Sequence, residues 1–129
     1  MLKTAVVGAV LALALATPVS ATCGKKPPVN NWNLQAGDKR VTGAYLGKML
    51  TGKKVRFKEG GTEVFAADGG YTYKLDGKSY RSNGFRFYAN GIRCIDYPND
   101  PRYDLYVVNG GKLMLINRVG GRYVGQVQK

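Results

Sequence analysis

The sequence predicts a mainly β protein: an antiparallel meander curled into a small barrel or strongly bent sheet, with one short N-terminal helix. Three observations predict it. From Lys53 onward turn pairs recur, among them Asp76-Gly77, Asn83-Gly84, Asn90-Gly91 and Asn109-Gly110, and such pairs accept the positive φ angles of tight hairpin turns. The segments between them are short and rich in Tyr, Phe, Val and Ile, the residues that suit a pleated, half-buried surface. Within those segments apolar and polar residues alternate, which is the period of a strand with one face buried.

The elements follow in chain order. Residues 1–21 read as a signal peptide: Lys3 gives a positive start, Ala5 to Ala16 is an apolar run too short to span a bilayer, and Val19-Ser20-Ala21 supplies small residues for cleavage. The chain is therefore expected to be periplasmic or secreted, with no transmembrane segment in the mature part. Residues 22–37, with Pro27-Pro28 and Asn30-Asn31, read as an extended N-terminal arm. Trp32, the single tryptophan, is expected to cover one edge of the core. Residues 38–129 form a single β-rich domain. It opens with a helix over Thr42 to Leu50, where Val41, Tyr45 and Met49 share a face with Leu46 and Leu50 beside them. Asp38 and Thr42 are the candidate caps, Gly52 the stop, and Gly43 and Gly47 weaken the helix.

About eight strands follow. Val55 and Phe57 oppose Lys54, Arg56 and Lys58. Tyr71, Tyr73 and Leu75 oppose Thr72 and Lys74. Phe85 and Phe87 oppose Arg86 and Tyr88. Ile92 and Cys94 oppose Arg93, Ile95 and Tyr97. Leu105 and Val107 oppose Asp104, Tyr106 and Val108. Leu113 to Ile116 is apolar on both faces, which places it centrally. Tyr123 and Val127 share a face of the last strand.

Two cysteines, Cys23 and Cys94, allow one intramolecular disulfide, the default in an oxidising compartment. The alternative, acylation of Cys23 as a lipoprotein, is poorly served by Ser20 and Thr22 around the cleavage site. The chain carries 20 Lys and Arg against 8 Asp and Glu, a formal charge of +12, from which cleavage removes only Lys3. Such a field attracts anions. Arg56, Lys74, Arg86 and Arg93, interleaved with Tyr88 and Tyr106, form the candidate polyanion-binding face, with cations for charge and rings for stacking. The expected partners are an anionic polysaccharide, a lipid headgroup or an acidic protein. The export signal argues against intracellular nucleic acid.

Catalysis lacks its usual parts. There is no histidine, so the commonest general base and metal ligand are missing. No motif frames a serine or cysteine nucleophile, and no cofactor or metal is expected. The acidic run from Asp96 to Asp104 reads as turn chemistry beside Pro98 and Pro101 rather than as a calcium loop. The expectation is a non-enzymatic binding domain. The alternatives are an inhibitor or accessory protein docking through the Pro98–Tyr103 loop, and a small hydrolase with an unrecognised site.

From Leu46 to Ile116 the chain runs through a short helix, then Gly52-Lys53-Lys54-Val55-Arg56-Phe57, Gly69-Gly70-Tyr71-Thr72-Tyr73, Gly84-Phe85-Arg86-Phe87 and Asn90-Gly91-Ile92-Arg93-Cys94-Ile95. In this order it resembles small secreted proteobacterial proteins of the DUF995-like type. The resemblance implies a bacterial envelope protein of unknown function and carries over no catalytic residues.

Overall fold

The computed structural model describes residues 23–98 and 100–129; the segment 1–21, read as a signal peptide, lies outside them. Ten strands and one helix run in the order β1 (Lys39–Arg40), α1 (Gly43–Leu50), β2 (Lys53–Phe57), β3 (Thr62–Phe65), β4 (Tyr71–Leu75), β5 (Lys78–Ser82), β6 (Phe85–Phe87), β7 (Ile92–Ile95), β8 (Arg102–Asn109), β9 (Lys112–Ile116) and β10 (Arg122–Gln128). They form one antiparallel sheet ordered β5-β4-β3-β2-β10-β9-β8-β7-β6, with β1 paired to β8. The sheet curls until its two ends nearly meet. Ser82 closes the gap: its hydroxyl lies within hydrogen-bond distance of the carbonyls of Gly84 and Asp96, to one of which it donates, and Asp96 N–H donates to Gly84 O. The mainly β barrel with one short helix is the expected fold, with β9 near the middle of the strand order.

Thr42 caps α1, its hydroxyl accepting from Tyr45 N–H at 3.0 Å. The buried face of the helix is Leu46 and Leu50, while Tyr45 and Met49 keep 41 % and 38 % of their surface exposed, a correction to the expected stripe. A Cβ on Gly43 would stand 2.6 Å from Tyr88 O, so the missing side chain lets the helix sit directly on the chain beyond β6. The weak helix former is there for contact. The Asn90-Gly91 turn also differs from a two-residue hairpin. Asp76 is the non-glycine residue with positive φ among the described residues, and Gly91 has φ 87°. Gly91 N–H bonds Tyr88 O and Tyr88 N–H bonds Ile92 O, which is a three-residue loop with glycine at the left-handed position.

Three strands escaped the alternation: β1, β3 and β5. In β3 the inward residues are Glu63 and Phe65, so a carboxylate occupies a core position and hides the strand period.

The core has two parts. Inside the barrel, Val55, Phe57, Phe65, Ile95 and Leu115 pack with Leu46 and Leu50 of α1. Outside it, Ile92, Leu105, Val107 and Ile116 present a second apolar face, which the N-terminal arm covers with Trp32. The arm is clipped at both ends. Cys23 and Cys94 form the disulfide. At the other end Asp38 takes a two-point bridge from Arg122 at 2.7 and 2.8 Å and a hydrogen bond from Asn109 at 2.8 Å.

Arg122 and burial act oppositely on the Asp38 carboxyl, and Arg122 prevails, holding it well below the ordinary carboxylate range. A depressed folded pKa stabilises the fold above the unfolded pKa, and that contribution is lost as pH falls through the folded value. Asp38→Asn is therefore expected to destabilise the protein by about 1–3 kcal/mol at neutral pH. The difference from the parent should narrow below about pH 4. Urea unfolding across pH checks it; a constant difference down to strongly acidic pH would refute it.

Candidate functional site

Strand order fixes two ends to the barrel. The base holds α1, the turns before β2 and after β3 and β8, and the end of β10. The mouth holds the β2–β3, β4–β5 and β9–β10 turns and the 96–101 loop. Each inward position near the mouth comes from a different strand: Phe57, Glu63, Tyr73, Arg93, Arg102, Leu115 and Tyr123. They surround a cavity of about 240 Å³ that also touches Tyr71, Tyr97 and Glu59. An adjoining, wider cleft of about 620 Å³ shares Tyr73, Tyr97 and Arg102 and reaches Asp100 and Val119.

The cavity stands over a buried ionic cluster. Arg93 pairs with Glu63 and with Asp104, all three almost wholly inaccessible. The hydroxyls of Tyr71 and Tyr106 donate to opposite oxygens of Glu63, Tyr71 at 2.6 Å. Arg102, half exposed at the mouth, donates to Asp104 at 3.0 and 3.4 Å. The formal charges of the four ionic groups cancel. The Arg93 guanidinium also lies over three rings, 5.6 Å from the centroids of Tyr71 and Tyr106 and 5.9 Å from Phe65, an attraction that grows on desolvation. Its Nε–H is buried with no acceptor.

Electrostatics in the cluster keeps the Arg93 guanidinium charged and the surrounding phenols neutral. Burial opposes the charge on Arg93, but Glu63, Tyr71 and Asp104 outweigh it and its pKa lies above the ordinary value. Burial, reinforced by the Glu63 carboxylate, pushes the phenols of Tyr71 and Tyr106 well up. Burial also raises Tyr97 against the opposing effect of Arg93. These tyrosines stay neutral at neutral pH. Among the described residues no group of His, Cys, Asp and Glu is placed to hold a metal ion.

The six residues of the expected polyanion face part company. Arg56 and Lys74 are exposed and lie in one row: Arg56 pairs across from Thr62, and Thr62 from Lys74. The neighbouring row runs Lys54, Val64, Thr72, Arg81. Arg86 is exposed but engaged with the arm, donating to Gly24 O at 3.0 Å and lying over the Tyr88 ring. Arg93 and Tyr106 are inside the barrel, and Tyr88 is buried under the arm with its hydroxyl on Gly24 O. These three do not belong to an outer face. The reason is that β7 and β8 are covered on both sides, by the barrel interior and by the arm, so alternation there separates two buried faces instead of inside from outside. Burial, with Tyr103 beside it, pushes the Tyr88 phenol up to about 12.

Comparisons with protein-family models, with curated proteins and with solved structures return no match. No helix among the described residues is long and apolar enough to cross a membrane.

Proposed function

We propose that the protein is a non-enzymatic periplasmic or secreted β-barrel that binds an anionic envelope component through the outer wall of β2–β5. The observation that carries this reading is the composition of that wall. Its outward positions are Lys54, Arg56, Thr62, Val64, Thr72, Lys74, Ser79 and Arg81: four cations and no carboxylate. Strand geometry spaces Lys54 and Arg56 by about 7 Å and puts Lys74 about 10 Å from Arg56 across one intervening strand. A rigid grid of cations can bind a polymer of repeating negative charge with little ordering cost. The Cys23–Cys94 disulfide fits an oxidising compartment.

Arg56→Glu with Lys74→Glu is expected to weaken binding to an anionic polysaccharide far more than Lys25→Glu with Lys26→Glu in the arm. Affinity should fall steeply with salt as counterions compete. The fold should be retained, since exposed substitutions usually cost within about 0.5 kcal/mol. Co-sedimentation or surface binding at low and high salt reads both effects. Equal losses from the two pairs would mean that net charge alone attracts the polymer. A second reading is favoured by the position of Asp100 to Tyr103 beside the mouth: an inhibitor or accessory protein that docks a specific partner protein through the Pro98–Tyr103 loop. Binding that is insensitive to salt and lost on changing Pro101 and Tyr103 would select it.

A further inference from the structure

We propose that the mouth of the barrel is a binding site for a small aromatic carboxylate, held among Tyr73, Tyr97 and Tyr123 with its carboxylate toward Arg93 and Arg102. This site is separate from the outer basic wall and does not depend on it.

Size comes first. An apolar cavity of about 150 Å³ accepts benzene, so about 240 Å³ holds one substituted ring and little more. The wall comes second. Tyrosine rings from three different segments converge on the space, and Phe57 and Leu115 complete its apolar side. A flat ring meets rings there in offset or edge contacts, the geometry such pairs favour.

Polarity decides the sign. Both oxygens of Glu63 are already occupied, by Tyr71 and Arg93 on one and by Tyr106 on the other. Asp104 is taken by Arg93 and Arg102. The acidic side of the cluster is therefore spent. What remains unpaired is a donor: the Nε–H of Arg93, buried on a side chain that lines the cavity. Arg102 adds a guanidinium at the rim, half exposed and tied to Asp104 by two of its nitrogens. That Nε–H is closed off from solvent, so a ligand meets the Arg93 charge without touching this atom, and the open donor is the Arg102 fork at the rim, where an acceptor brought by a ligand forms a charge-assisted hydrogen bond. A carboxylate supplies such an acceptor and gains from two guanidinium groups. A ligand cation would meet those same two charges with no free carboxylate in the buried cluster to answer it; the one further carboxylate on the lining, Glu59, is exposed to solvent on the β2–β3 turn.

The probe is benzoate, titrated into the oxidised, isotopically labelled protein and followed by amide chemical shifts. Saturable shifts are expected at the mouth, around Tyr73, Tyr97 and Tyr123. Benzyl alcohol and benzylamine should each bind at least about tenfold more weakly than benzoate, as loss of a charge-assisted hydrogen bond implies. Arg102→Gln and Tyr97→Ala should each weaken benzoate by about tenfold while leaving shifts distant from the mouth unchanged. Arg56→Glu with Lys74→Glu should leave benzoate affinity as it was, which separates this site from polyanion binding. Absence of saturable mouth shifts at millimolar benzoate would overturn the proposal. So would benzylamine binding as tightly as benzoate, or unchanged affinity in a folded Arg102→Gln variant.

Discussion

Replacing Arg93 with methionine is expected to destabilise the protein by about 3–5 kcal/mol, because it leaves buried carboxylates without their cation. Glu63 and Asp104 each have a side-chain exposure of 1 %, so water cannot take over the role of the guanidinium. A domain of this size has roughly 5–15 kcal/mol in hand, and the loss is a large part of it. Urea unfolding at neutral pH measures it. Arg93→Lys should fall between parent and methionine variant, since an ammonium restores the charge but not the planar fork that reaches two carboxylates. Combining Arg93→Met with Glu63→Gln should cost less than the two single changes added together, because the second change removes the charge that the first leaves unpaired. A methionine variant within about 0.5 kcal/mol of the parent would mean that the cluster is hydrated and Arg93 is not its centre.

Breaking the Cys23–Cys94 bridge should have an effect of similar size. It closes a loop with a sequence separation of 71, for which chain entropy gives about 4 kcal/mol. Cys23→Ser with Cys94→Ser tests this without adding a free thiol. The bridge also holds the arm against Ile92, Leu105 and Ile116, with Trp32 in the same cluster. As the single tryptophan, Trp32 reports on the arm alone, and its emission should move to longer wavelength as the arm loosens. Unchanged stability together with unchanged emission would show that Asp38, Arg122 and Asn109 hold the arm unaided.

Local patterns in the sequence revealed the wall and concealed the interior. Lys54, Val55, Arg56 and Phe57 alternate because β2 has solvent on one side, and the strand, its faces and its exposed cations are all legible there. Leu113 to Ile116 shows apolar residues on both faces because it is central. Arg93 defeated the same logic. A charge between Ile92 and Cys94 reads as an outward residue, since nothing local tells that the outer side of β7 is the one covered by the arm. Glu63 was hidden twice over, by a four-residue strand and by its charge at an inward position. Of its partners only Tyr71 is close in sequence, while Arg93 and Tyr106 are 30 and 43 residues away, beyond the reach of any periodicity. One trace was present: Asp104 and Tyr106 share a parity along β8, so an acid and a phenol were already predicted to face the same side. The mouth cavity needs curvature as well as register, and a strand pattern contains only the latter.

The position of β10 between β2 and β9 sets an order of assembly. The strands from β2 to β5 are successive hairpins, and so are those from β6 to β9, each closed over a handful of residues. Among the described residues, ladder pairing between these two meanders runs only through β10. Its contact with β9 is another hairpin, but Gln126 meets Arg56 across about seventy residues, and the entropy of closing a loop grows with its length. Pairings of that kind slow folding. Until the last strand is in place, β2 and β9 each present an open edge, the form in which sheets recruit other chains. The final seven-residue strand thus acts as the clasp of the whole barrel. A molecule that loses it loses the join between its two halves, and with it the enclosure around the Arg93 cluster.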